Sequence, residues 1–126
     1  MKTGSCLCGA VKYEAQNLRK ILACHCVQCR KQTGHFMAAT AASNVDFKIT
    51  DASGLKWYRS SATAERGFCG ECGSVLFWRK DGGDYISITA GSIDGPTGLE
   101  LDGHIYCDFA GDYYEITGGS FQKSER

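Results

Sequence analysis

Seven of the eight cysteines lie in three short groups. Thiolates spaced this closely are typical of zinc sites, in which four ligands converge at about 2.3 Å from one ion. Disulfides explain the pattern poorly, because cysteines one residue apart rarely meet the Cα separation and torsion that the bond requires. The spacing therefore predicts metal centres built from Cys6-x-Cys8, Cys24-x-Cys26-x-x-Cys29 and Cys69-x-x-Cys72. Each C-x-C pair is predicted on a strand, where residues i and i+2 point to the same face and reach one metal together.

The number of sulfurs predicts two sites of different kinds. Cys6 and Cys8 with Cys69 and Cys72 complete a four-sulfur site, which we interpret as structural because zinc then has no free position. The link joins the N-terminal segment to a mid-chain knuckle whose turn Gly73 permits. Structural zinc contributes about 10–16 kcal/mol in model peptides, which rivals the stability of a small domain.

The second group supplies only three sulfurs, from Cys24, Cys26 and Cys29. Three protein ligands leave zinc one position for water or an exogenous ligand, so these cysteines are also the candidate catalytic residues. Three thiolates and one Zn²⁺ carry a net charge of −1. Such a centre suits the binding of a soft ligand, such as another thiol, better than the generation of hydroxide.

Two other interpretations of this group stay open. It is also consistent with a redox thiol cluster that forms a disulfide, or with a different division of ligands in which these cysteines join the others. Cys107 is the main competitor for the fourth position at a second metal centre. The local pattern favours a small core residue at Cys107, because Ile105, Cys107 and Phe109 alternate onto one apolar face of a predicted strand.

Several polar residues near the cysteines are candidates for substrate binding. Arg30 and Lys31 directly follow the three-sulfur group and are expected either to offset its charge or to hold a substrate carboxylate. His35 follows the Thr33-Gly34 turn and is a candidate proton donor or acceptor.

Three further polar residues are expected to play no part in the site. His25 lies between two ligands and is predicted to point away from the metal. His104 is predicted to share a strand face with Tyr106 and Asp108, where either a polar pocket or solvent would satisfy it. Arg66 is predicted to be a solvated charge.

The surrounding chain indicates short strands separated by turns that depend on glycine. A single short helix is predicted over Val27–Thr33, ended by Gly34. Residues 1–126 therefore predict one mainly β domain of two packed antiparallel layers, stapled by structural zinc, with a frayed tail at Gln122–Arg126. The predicted strands are Ala10–Ala15, Phe36–Ala42, Asp46–Thr50, Lys56–Arg59, Glu65–Cys69, Ser74–Arg79, Tyr85–Ala90 and His104–Phe109.

Charge and composition narrow the classes of function. Fourteen basic and fourteen acidic residues give a formal charge of zero. Seven thiolates and two Zn²⁺ would change this to −7 + 4, or −3, and neither figure favours nucleic-acid binding. The segment MKTGSC has no apolar run, so we expect neither a signal peptide nor a membrane span. Cysteine-rich chains of this kind favour metal binding in a reducing cytoplasm.

The segments GSCLCGAVKYE, CHCVQCRKQTG, RGFCGECGSVLF and HIYCDFAGDYYEI, in this order, resemble the glutathione-dependent formaldehyde-activating enzyme family, which also includes centromere protein V-like domains. The resemblance covers nearly the whole chain and implies two antiparallel sheets. It implies that Cys6, Cys8, Cys69 and Cys72 bind a structural zinc. It also implies a second, labile or catalytic zinc on Cys24, Cys26 and Cys29, near a glutathione site.

The resemblance also implies a reaction. Members of the family add the glutathione thiol to formaldehyde, giving S-hydroxymethylglutathione, and the reverse is a carbon–sulfur lyase reaction. We therefore expect a zinc enzyme that handles a small thiol adduct, with glutathione as its partner. The alternative is a non-catalytic zinc-stabilised binding module or thiol carrier. The sequence predicts no oligomeric state.

Overall fold

The computed structural model describes residues 1–126 as a mainly β protein with one α-helix. The helix, α1, covers Val27–Thr33, and short 3-10 turns cover Asn44–Asp46, Ala90–Ser92 and Cys107–Phe109. The strands are β1 Lys2–Ser5, β2 Lys12–Ala15, β3 Ile21–Cys24, β4 Met37–Ser43, β5 Phe47–Asp51, β6 Leu55–Arg59, β7 Ala64–Cys69, β8 Val75–Lys80, β9 Tyr85–Thr89 and β10 Leu101–Ile105.

Two sheets account for all ten strands, which confirms the predicted architecture. The smaller sheet has the order β1-β2-β5 and is antiparallel throughout. The larger sheet has the order β10-β3-β4-β9-β8-β7-β6. Its neighbours are antiparallel except at one edge, where β10 pairs with β3 in parallel.

The hydrophobic core lies between the two sheets. Tyr13 from the smaller sheet meets Phe77 from the larger one in an edge-to-face contact, with ring centroids 5.4 Å apart. Phe47 packs against both rings, at 5.7 Å from Tyr13 and 5.3 Å from Phe77. Cys6 and Cys69 belong to the same buried cluster. One wall of the core is therefore continuous with the first group of cysteines.

The helix has the predicted bounds, and its ends have recognisable signals. Cys26 is the N-cap, because its sulfur accepts a hydrogen bond from the backbone N–H of Cys29. Gly34 ends the helix at φ 80°, where its N–H donates to the Arg30 carbonyl. This left-handed conformation is the one that glycine adopts without penalty.

The predicted strands all overlap observed strands, but the C-terminal region differs in detail. The strand predicted over His104–Phe109 ends at Ile105, because Tyr106 adopts a positive φ of 55°. The predicted fraying of Gln122–Arg126 is wrong, since Gln122 bridges His104 and the Lys123 N–H donates to the His104 carbonyl. None of the helices has the length and apolar character that crossing a bilayer requires.

Candidate metal centres

The first cluster contains Cys6, Cys8, Cys69 and Cys72, whose sulfurs all lie within 4.8 Å of one another. The Cys8 sulfur is 3.7 Å from the sulfurs of both Cys6 and Cys69. These separations exceed a disulfide bond and match the edge of a tetrahedron, which for four sulfurs around zinc is about 3.8 Å. The four residues therefore fit one zinc ion, with every position filled by protein.

Two tight turns bring these sulfurs together. Gly9 donates its N–H to the Cys6 carbonyl, and Gly73, at φ 80°, donates to the Cys69 carbonyl. The prediction that Gly73 permits the knuckle is thus confirmed. Cys6 and Cys8 lie just beyond β1 in a turn and not on a strand as predicted. The turn, not strand alternation, directs both side chains to one centre.

The first cluster is closed from one side by the turn before β6. Gly54 donates its N–H to the Ala10 carbonyl, and its own carbonyl accepts from Gly70. A Cβ on Gly54 would lie 2.8 Å from the Ala10 Cβ and 3.0 Å from the Cys69 sulfur. A glycine is needed here because no side chain fits between the turn and the cysteines.

The second cluster contains Cys24, Cys26 and Cys29, and their sulfurs also lie within 4.8 Å of one another. Cys24 ends β3, Cys26 caps α1, and Cys29 is a buried residue in the first turn of the helix. The predicted strand geometry for the first pair is therefore replaced by a strand-to-helix junction. Three sulfurs fit three of the four positions around a zinc ion.

The electrostatics of the second cluster favour a shared negative charge. Hydrogen bonds from the Cys24 and Cys29 thiols lower the pKa of Cys26 to about 2, and the Cys29 backbone N–H contributes. The same hydrogen bonding, together with burial, raises the pKa of Cys24. Because zinc ligands must be deprotonated, a cluster that already stabilises one thiolate is suited to a cation.

The prediction for Arg66 is wrong. This arginine is on β7 and only 6% exposed. Both terminal nitrogens lie 3.5 Å from the Cys29 sulfur, and Nη1 donates to the side-chain oxygen of Gln32 at 2.9 Å. Strand alternation could have indicated that Arg66 is buried, because residues two apart on a strand share a face and Ala64 is buried.

All three cysteines of the second cluster line a cavity of about 470 Å³. This volume lies within the range of small-molecule sites. The lining combines apolar side chains, such as Leu22, Met37 and Ile105, with four basic residues and no acidic side chain. The basic residues are Arg19, Lys20, Arg66 and Arg126. The cavity therefore suits an anionic ligand that carries apolar surface.

The three residues predicted to bind substrate are not part of the lining of this cavity. Lys31 and His35 are exposed, Arg30 is half-buried on α1, and none of them lines the cavity. His35 packs edge-on against Tyr114, with ring centroids 4.4 Å apart. Arg19, in the segment before β3, is one of the four basic residues that line the cavity instead.

Three further expectations concern residues near the second cluster. His25 points away from the sulfurs as predicted, and of the two possibilities, packed or exposed, it is the packed one, fully buried and hydrogen-bonded to Tyr114 and His104. His104 is buried in a hydrogen-bonded pocket and does not face solvent. Cys107 lies in a 3-10 turn and is only half-buried, because the strand has already ended. Its sulfur is not part of either cluster.

Comparison with known proteins identifies the family. A family model described as glutathione-dependent formaldehyde-activating enzyme matches residues 1–109. The chain belongs to this family. The chain is 30% identical over 116 residues to an uncharacterized lyase of Schizosaccharomyces pombe. The match covers 90% of this chain and 83% of the yeast protein.

A solved structure shares the fold of this formaldehyde-activating family member. It is the crystal structure of a Rhodobacter sphaeroides protein, a structural genomics target, with a TM-score of 0.66. The two are 24% identical, and the match covers 81% of this chain and 98% of that chain. The family match spans both cysteine clusters, since residues 1–109 include every cysteine in them.

Proposed function

We propose that this protein is a zinc-dependent carbon–sulfur lyase that forms or cleaves the adduct of a small thiol with an aldehyde. The specific reaction is the addition of glutathione to formaldehyde to give S-hydroxymethylglutathione. The observation that carries the proposal is that three cysteines with room for a fourth ligand open onto a cavity of ligand size. The family and the lyase named among its relatives support the same class of reaction.

In this proposal Cys24, Cys26 and Cys29 hold the catalytic zinc, and the four-sulfur cluster holds a structural one. Zinc bound there supplies a positive charge that stabilises a thiolate and polarises a carbonyl oxygen. The new bond joins the glutathione sulfur to the formaldehyde carbon. The π electrons of the carbonyl move to oxygen, and the proton lost from the thiol ends on that oxygen, so the adduct is a hydroxymethyl thioether.

The residues of the chain position the thiol. Cys24 pairs with Met37 at one end of the cavity, while the Arg19 N–H donates to the Ala41 carbonyl, four residues further along β4. At about 3.3 Å per residue this separation is about 13 Å, which is within reach of a tripeptide and an arginine side chain. We therefore assign a substrate carboxylate to Arg19. Leu22 and Ile105 exclude water from the apolar part of the ligand.

The test is the rate of exchange between free formaldehyde, glutathione and their adduct, followed by NMR with ¹³C-formaldehyde. Protein loaded with two zinc ions should accelerate exchange beyond the uncatalysed rate, and Cys26→Ser should remove the acceleration. Cys107→Ser is the matched control, because its sulfur lies outside both clusters. Exchange no faster than in buffer would instead identify a non-catalytic binding module.

A further inference from the structure

Arg66 is a buried cation with no carboxylate partner. The ion pairs of the chain join Lys20 to Glu100, Arg59 to Asp81 and Arg79 to Glu65, so none includes Arg66. Its Nε is buried and has no hydrogen-bond partner at all. A guanidinium withdrawn from water in this way is costly unless an opposite charge lies beside it.

The contacts of Arg66 identify that charge. Gln32 accepts one hydrogen bond but is neutral, so the Cys29 sulfur, which is a thiolate when it binds zinc, is the only contacting group that can be an anion. Both terminal nitrogens lie at the same 3.5 Å from this sulfur, so the planar fork is centred on it. Cys29 and Gln32 are three residues apart on α1 and therefore lie on one helix face, which the arginine of β7 bridges.

We propose that Arg66 is the counter-charge of the second zinc centre and a positioning residue for Cys29. Three thiolates and one Zn²⁺ carry −1, and one guanidinium brings the sum to zero. Arg66 thereby increases the affinity of the cluster for zinc, and Gln32 keeps the guanidinium in place. The inference rests on the zinc site in the proposed function but not on its reaction.

The test measures zinc affinity at the second cluster, without any assay of activity. Arg66→Met keeps the length of the side chain and removes its charge, whereas Arg66→Lys keeps the charge and removes the fork. Gln32→Met removes the group that orients Arg66. Arg79→Met is the matched control, because Arg79 is an exposed arginine on neighbouring β8 and forms an ion pair with Glu65 of β7. Each protein is titrated with a chromophoric chelator, and cobalt substitution reports thiolate ligation by its charge-transfer band.

Loss of a group that supports a metal ligand typically weakens metal binding about 10–100-fold. We expect that range for Arg66→Met, a smaller loss for Arg66→Lys and Gln32→Met, and none for Arg79→Met. The first cluster should keep its zinc in every variant. An unchanged second-site affinity in Arg66→Met overturns the proposal. If Arg66→Met does not fold, the zinc affinity of Gln32→Met takes its place, and an unchanged affinity in that variant also overturns the proposal.

The outcomes separate this inference from the proposed function. A wild-type protein that binds two zinc ions but lacks lyase activity contradicts the proposed function and leaves the affinity comparison intact. Wild-type protein that binds only one zinc ion overturns both. Two bound ions, catalysed exchange and equal affinities in all variants would overturn the role of Arg66 alone.

Discussion

The Nε2 atom of His25 lies 2.9 Å from Nδ1 of His104, inside a chain of buried hydrogen bonds. His104 Nε2 faces the carbonyls of Thr117 and Gly118, so that nitrogen carries the proton. His104 Nδ1 then accepts from His25 Nε2–H, and His25 Nδ1 accepts from the Tyr114 hydroxyl at 2.7 Å. With both rings neutral, every polar atom in the chain is paired without a buried charge.

Replacing His25 tests this chain. His25→Phe leaves the buried His104 Nδ1 without a donor and the Tyr114 hydroxyl proton without its acceptor, so we expect the free energy of unfolding to fall by about 1–3 kcal/mol. Urea denaturation measures the change. His35→Phe is the control, because His35 packs against the same Tyr114 from an exposed position and its replacement should change stability by less than about 0.5 kcal/mol. Equal effects of the two substitutions would contradict the arrangement.

The two clusters should respond differently to loss of one sulfur. Cys8→Ser opens the four-sulfur site, so we expect loss of its zinc and of more than about 4 kcal/mol of stability. Cys26→Ser should remove the second zinc and leave the fold intact. Zinc stoichiometry and circular dichroism of freshly reduced proteins measure both effects. Global unfolding of Cys26→Ser would mean that the second cluster is structural as well.

The close approach of Gly54 to the first cluster gives a third prediction. A methyl group at this position meets the Ala10 Cβ at 2.8 Å and the Cys69 sulfur at 3.0 Å. Gly54→Ala should therefore destabilise the protein by about 1–3 kcal/mol and speed the release of the first zinc to a chelator. Gly91→Ala is the control, because no atom lies within 4 Å of the added Cβ. Similar release rates for the two variants would refute a steric role for Gly54.

The alkaline limit of stability should depend on Tyr13. Burial raises the pKa of Tyr13 to about 12; the nearby Asp94 charge adds to this, whereas the hydrogen bond with Ser92 opposes it. The unfolded chain loses this proton near pH 10, so folded protein binds more protons between pH 10 and 12 and stability falls as the pH rises through that window. The loss is about 2–3 kcal/mol. Denaturation of Tyr13→Phe at each pH should lack this decline, and an identical decline in both proteins would exclude Tyr13 as its source.

Arg19 provides the last prediction, which concerns substrate binding. Its guanidinium lies 4.8 Å from the centre of the Tyr85 ring at the rim of the cavity. Arg19→Met should raise KM for glutathione about tenfold and change kcat little, because the carboxylate contact persists through the reaction. Lys31→Met tests the site predicted from sequence and should leave KM unchanged. A larger increase in KM for Lys31→Met than for Arg19→Met would mean that the substrate carboxylate binds at α1.

Local patterns predicted what depends on neighbouring residues. The bounds of α1 followed from Gly34, and the division of the cysteines followed from counting ligands. Strand alternation failed for Cys6 and Cys8, because a hydrogen-bonded turn begins where β1 ends. Arg66 was missed because its partner, Cys29, lies on a different element, and only tertiary structure brings a cation and a thiol together.

The predictions for the C-terminal region were wrong for the same physical reason. The alternating pattern that predicted a core position for Cys107 assumed that the strand continues to Phe109. The strand ends at Ile105, because Tyr106 adopts a positive φ. Terminal residues usually fray, yet here the backbone from Gln122 onward hydrogen-bonds along the edge of β10. No residue in the tail signals this docking by its own side-chain type.

The sequence separation of the ligands sets the order in which the two clusters become complete during synthesis. Cys24, Cys26 and Cys29 lie within six residues of one another and leave the ribosome almost together. The four-sulfur site has to wait for Cys72, with more than half of the domain already outside the tunnel and a long loop still to close. In a nascent chain the three-sulfur cluster is therefore complete before the four-sulfur cluster is.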